Sequence, residues 1–143
     1  MINFNIETEG FKLTDRRRKK QLIRHIAESY GFRLGELNYI FMSDDALLEV
    51  NIEYLNHNTY TDIITFDNSE KEEMIEGDIF ISVDRVKENA EKFKTSFENE
   101  LVRVISHGVL HLSGYKDEKP EETKKMREAE EKALEYYFNT EEK

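Results

Sequence analysis

The sequence predicts an α+β fold: a mixed four-stranded sheet packed with about five helices. Three observations carry the prediction. Apolar patterning of period two alternates with patterning of period 3.6 through the first half, in the order strand, helix, strand, helix, strand, strand, and then gives way to helices alone. The segments are separated by short polar stretches, with no internal repeat and no linker-like composition. At 143 residues, 38% of them apolar, the chain is expected to form one domain over residues 1–143 with its own core.

The elements follow in order. Ile2, Phe4 and Ile6 alternate with Asn3 and Asn5, a half-buried strand. Thr14 or Asp15 can cap a helix to about Tyr30, with Leu22, Ile23, Ile26 and Tyr30 as its apolar stripe and Gly31 beyond its end. Leu37–Met42 is rich in strand formers. Ser43, Asp44 and Asp45 open a second helix, whose Ala46, Leu47, Val50 and Tyr54 point inward. Asp62–Phe66 and Gly77–Val83 are short strands, a hairpin with the acidic stretch Asn68–Glu76 as its loop. Asp84 caps a helix over 85–94, burying Val86, Ala90 and Phe93. Thr95 with Glu98 makes a capping box for the next helix, which buries Leu101, Val104, Ile105 and Leu112 and is apolar enough to be central. Pro120 opens a last helix over 121–138 with Met126, Ala129, Ala133, Leu134 and Tyr137 inward, and residues 139–143 are expected to fray.

Composition narrows the function. With no cysteine, disulfides and thiolate metal sites are excluded. No apolar run is long enough to span a membrane and the first residues lack a signal-peptide pattern, so a cytoplasmic protein is expected. The net charge of −10 opposes phosphate binding in general. The charges are uneven, however: residues 16–20 read Arg-Arg-Arg-Lys-Lys, while acids crowd 70–76 and 117–143. Arg16, Arg17 and Lys20 fall off the apolar stripe and are expected to face water or a polyanion.

The chemistry concentrates in residues 107–117, His-Gly-Val-Leu-His-Leu-Ser-Gly-Tyr-Lys-Asp. His107 and His111, four apart, leave one face of a helix about one pitch apart and can meet one ion. Gly114 lets the chain turn out of the helix and bring Asp117 back. Two imidazoles and a carboxylate suit one zinc ion with an open position, a catalytic rather than a structural arrangement. A bare His-x-x-x-His pair usually binds nothing, but this one uses two of only four histidines and lies in an apolar helix. Zinc peptidases carry a glutamate base directly after the first histidine, and here that position is Gly108.

The segment resembles the signature of the YbeY family of bacterial endoribonucleases and rRNA maturation factors, His-Gly-x-Leu-His-Leu-x-Gly-Tyr-Asp-His. His107, Gly108, Leu110, His111, Leu112, Gly114 and Tyr115 match. Lys116 stands for the family's aspartate and Asp117 for its third histidine ligand. Residues 50–66 resemble a second family segment at Asn51, Tyr54, Thr61, Asp62 and Phe66, and Gly77-Asp78-Ile79 a third. Leu55 stands where the family has an arginine thought to help the RNA chemistry, and Tyr60 where it has proline.

The resemblance implies a zinc-dependent, single-strand-specific endoribonuclease in rRNA processing, maturing the small-subunit rRNA 3′ end and serving ribosome quality control. Its partners would be ribosomal RNA and the small subunit, with neither membrane nor DNA. One zinc per chain would be held by His107, His111 and Asp117, the catalytic proton acceptor being unassigned. Asp62, Asp78, His57 and Arg103 are candidates for support of the metal site or for the RNA cleft. For Asp78 the structural role is favoured, Asp62 is open, His25 and His57 read as surface residues, and Arg103 is expected to pair with a neighbouring acid. Two other readings stand beside this one. The first is a ribosome-assembly factor with a structural or weakly active metal site, favoured by Leu55 and the acidic charge. The second is a small metallopeptidase, which Gly108 opposes.

Overall fold

The computed structural model describes residues 1–139; residues 140–143, part of the segment expected to fray, lie outside the described residues. In chain order the elements are β1 (Ile2–Glu7), α1 (Arg16–Ser29), β2 (Arg33–Met42), α2 (Asp44–Leu55), β3 (Ile63–Asp67), β4 (Met74–Ser82), α3 (Val83–Lys92), α4 (Phe97–Leu112) and α5 (Pro120–Asn139). The sheet runs β1-β2-β4-β3. β1 and β4 each lie parallel to β2, and β3 is antiparallel to β4, so the sheet is mixed and ends in the expected hairpin.

Strand alternation sorts the core into two layers. Leu37, Tyr39, Phe41, Ile79 and Ile81 face α1, α4 and α5, meeting Leu22, Ile23, Ile105 and Met126. Ile40, Met42 and Ile64 face the other way, onto Leu47 of α2. α4 packs against α1, α3, α5 and two strands, the central position its apolar content predicts. The buried Tyr39 hydroxyl donates to the Ile105 carbonyl at 2.8 Å, pinning the middle of α4 to the sheet.

Several boundaries differ from the sequence reading. β2 starts at Arg33 rather than Leu37, with an irregularity in its pairing between Leu34 and Leu37, and β4 starts at Met74. Ser82 and Ser96, not Asp84 and Thr95, cap α3 and α4. Each hydroxyl accepts from a backbone N–H three residues on, Arg85 at 3.1 Å and Asn99 at 3.0 Å. Ser43 caps α2 as expected. Tyr54 and Phe93, expected inside, are 64% and 50% exposed. Tyr54 sits near the end of α2, beyond the buried Leu47 and Asn51, with its ring edge-on to Phe66, and Phe93 falls after the last turn of α3.

The basic run divides as well. Lys19 is fully buried, bonded to Glu98 at 2.9 Å and to the Thr14 carbonyl at 2.7 Å. Arg18 donates to the Tyr137 carbonyl and lies over that ring. These two cations close the seam between α1, α4 and α5, while Arg16 and Arg17 stay exposed.

A candidate active-site cleft

The site begins with how α4 seats on the sheet. Gly108 makes that seating possible: a Cβ there would stand 2.9 Å and 3.0 Å from Ile79 side-chain atoms and 3.3 Å from Ile63. The helix therefore lies close on β3 and β4, and His107 comes out beside the start of β3. Gly114, at φ +109°, turns the chain after the helix, and the Tyr115 amide donates back to the Leu110 carbonyl at 3.1 Å. The returning segment carries Asp117 over the same edge.

There the structure forms a polar cleft of about 300 Å³, lined by Thr61, Asp62, Arg103, His107, Asp117 and Glu130 among others. His107 Nε2 faces Asp117 Oδ2 at 4.0 Å. Its other nitrogen, Nδ1, lies 2.6 Å from Glu130 Oε2. Glu130, 2% exposed, also accepts from Arg103 Nη1 at 3.0 Å through Oε1. Arg103 in turn forks onto Glu100, itself 1% exposed, and lies 3.9 Å from Asp62. Burial alone would raise the Glu130 carboxyl, but the His107 hydrogen bond and the Arg103 charge outweigh it and hold the group below the usual carboxylate range. Burial likewise works against the Arg103 charge, and the Glu100 and Glu130 carboxylates reverse that, keeping the guanidinium charged.

The candidate residues separate accordingly. His107, Asp117, Asp62 and Arg103 meet in the cleft. His111, one turn further along α4, is exposed and does not line it. Among the described residues no three His, Asp or Glu side chains converge as an ion's cage would require. Asp78 lies on β4, accepting from the side-chain amides of Asn38 at 3.0 Å and Asn68 at 3.2 Å, a structural role. His57 is exposed in the loop after α2, and His25 stacks flat on Tyr136. Arg103 is ion-paired as expected, with two buried acids, Glu100 and Glu130. Glu130 and Glu100 went unmarked in the sequence reading. Glu130 had a signal: it falls on the inward stripe of α5, between Met126 and Ala133, where an acid has no reason to be unless it is paired.

Sheet, central helix and cleft together define an α+β domain carrying a histidine–carboxylate site near the end of its buried helix. A family model described as Endoribonuclease YbeY matches residues 3–137. A Bacteroides thetaiotaomicron protein named Endoribonuclease YbeY is 51% identical over 130 residues, 90% of this chain and 94% of that one. A Phocaeicola vulgatus protein of the same name is 52% identical over 136 residues, 94% and 96% of the two chains. The solution structure of a Thermotoga maritima protein matches with a TM-score of 0.70 at 31% identity, covering 97% of this chain and 90% of that one. The chain belongs to the YbeY endoribonuclease family.

Proposed function

We propose that this protein is a zinc-dependent, single-strand-specific endoribonuclease. It acts in the cytoplasm on ribosomal RNA, at the small-subunit 3′ end and in ribosome quality control. Family membership supports the reaction and substrate class. The observation that carries the site is the His107–Asp117 pair: a ring nitrogen and a carboxylate oxygen facing each other across a cleft. Two ligands of one tetrahedral zinc sit roughly 3.3 Å apart, given bonds of about 2.0–2.1 Å. The observed 4.0 Å separation is within a small rotation of Asp117, which is 39% exposed. His111 is exposed on the neighbouring turn, and binding in this reading turns its ring toward the pair by a change of rotamer. The donor set fits zinc, with His107, His111 and Asp117 as holders.

When bound there, zinc supplies a Lewis acid for the phosphate and a water acidic enough to attack near neutral pH. The chain's own groups do the rest. Asp62 lines the cleft without being one of the three holders, and in this reading it is the carboxylate that takes the proton. Asp62→Asn is expected to lower cleavage by ~10²–10⁴-fold while leaving zinc content unchanged. The primary test is elemental analysis alongside cleavage of a single-stranded RNA. About one zinc per chain is expected, falling in His111→Ala and Asp117→Ala with loss of cleavage. Full zinc content and full cleavage in both variants would reject the ligand assignment.

One observation favours a second reading, an assembly factor with a weakly active site. Leu55, in the place of the family's arginine, is 41% exposed near the exposed Ile52 and Tyr54, an apolar surface more suited to protein than to phosphate. Copurification with small-subunit particles without zinc-dependent hydrolysis would support it.

A further inference from the structure

Glu130 is held more tightly than an ion pair for Arg103 requires. Arg103 already has a forked partner in Glu100, and Arg127 lies 3.6 Å from Glu130 as well, yet the carboxylate also reaches His107. Glu130 divides its two oxygens: Oε1 accepts from Arg103 and Oε2 lies on His107 Nδ1. An ionised carboxylate only accepts, so the proton of that short contact belongs to His107 Nδ1. A neutral imidazole protonated at Nδ1 carries its lone pair on Nε2, the nitrogen that faces Asp117. Turning the ring over would break the Glu130 contact, so the orientation is fixed together with the proton.

We propose that Glu130 is a positioning residue for the cleft. It holds His107 in the Nδ1–H tautomer with Nε2 presented to Asp117, and Arg103 keeps Glu130 in place. For a neutral ring beside an ionised Glu130 the tautomer follows from the hydrogen bonds; its use, to offer a lone pair to a metal, rests on the function proposed above. A carboxylate behind a ligating histidine typically accounts for a 10–100-fold difference in metal affinity.

Glu130→Gln gives a directed test. Arg103 donates only, so the glutamine carbonyl must turn to Arg103 and its NH₂ then faces His107 Nδ1. That arrangement favours the opposite tautomer. Long-range ¹H–¹⁵N NMR of the metal-free protein should show His107 as Nδ1–H in the wild type and shifted toward Nε2–H in Glu130→Gln. Chelator competition should show zinc affinity falling 10–100-fold. Glu100→Gln is the control: it weakens the grip on Arg103 without touching His107, so it lowers the melting temperature while the tautomer stays. If Glu130→Gln fails to fold, Arg103→Lys loosens Glu130 more gently and should shift the tautomer the same way, by less. An unchanged His107 tautomer in the folded variant, or an equal shift in Glu100→Gln, overturns the proposal. A wild type that keeps the Nδ1–H form yet binds no zinc leaves the positioning intact and rejects the zinc-dependent reading instead.

Discussion

Replacing Arg103 with methionine tests the charge arrangement under the cleft. The change keeps the aliphatic stem and removes the cation from between Glu100 and Glu130, which are 1% and 2% exposed. Removing one partner of a buried pair typically costs about 3–5 kcal/mol, because the other charge stays behind without water. Domain stabilities of about 5–15 kcal/mol leave the variant folded but labile. At roughly 3–5 °C per kcal/mol for a chain of this size, the melting temperature should drop by about 10–20 °C. The pH dependence supplies the sharper signature. In the wild type Glu130 is held below the ordinary carboxylate value, so its stabilisation is fully present above about pH 4.3 and is lost as pH falls through the lower folded value. Without Arg103, burial is opposed by His107 but no longer by the guanidinium, so the carboxyl rises relative to the wild type. The variant should therefore be closest to wild type at acid pH, where the carboxyl is protonated in both, and lose ground as pH rises out of that range. Urea denaturation at several pH values, with unchanged m, measures both effects. A penalty below about 1 kcal/mol that is flat with pH would refute the idea that these acids depend on Arg103.

Three further outcomes follow from the same structure. Gly108→Ala gains about 1 kcal/mol of helix propensity but drives a methyl group into Ile79 and Ile63, an overpacking that costs about 1–3 kcal/mol; thermal melts should show a net loss, partly restored by Ile79→Val. Lys19→Met should leave affinity for single-stranded RNA unchanged at any salt concentration, since the ammonium is buried against Glu98 rather than offered to phosphate; a drop in the salt slope by fluorescence anisotropy would contradict this. Burial pushes the Tyr30 and Tyr137 hydroxyls up to about 12, helped by Tyr115 and Glu98 respectively, so absorbance at 295 nm should show them titrating after the ordinary tyrosines. Because the folded values are raised, stability is intact below about pH 10 and falls as pH rises through 12.

Much of the fold was legible because its cues were local. The Ile2, Phe4, Ile6 alternation, the Leu22, Ile23, Ile26 stripe and the Met126, Ala129, Ala133, Tyr137 stripe each marked an element and its inward side. The misread positions depended on tertiary extent. Tyr54 and Phe93 continue an apolar pattern past the point where α2 and α3 have anything to cover. The basic run at 16–20 reads as a surface, yet Lys19 has its partner Glu98 far along the chain, a pairing no window of sequence contains. In the cleft, His107 and Asp117 stood out by residue type and spacing. Glu130 did not, because residues 117–143 are so rich in acids that one on the wrong face of a helix is hidden among many on the right one.

The bare α-carbon at position 108 also limits what this scaffold can be turned into. Converting the segment to the zinc-peptidase pattern calls for glutamate there, yet the side chain would leave the backbone straight into two isoleucines of the sheet. A redesign would have to hollow out Ile79 and Ile63 first, and the carboxylate would then point into the apolar interior instead of toward the cleft. Close docking of the helix on its sheet thus closes off one hydrolytic chemistry at this position.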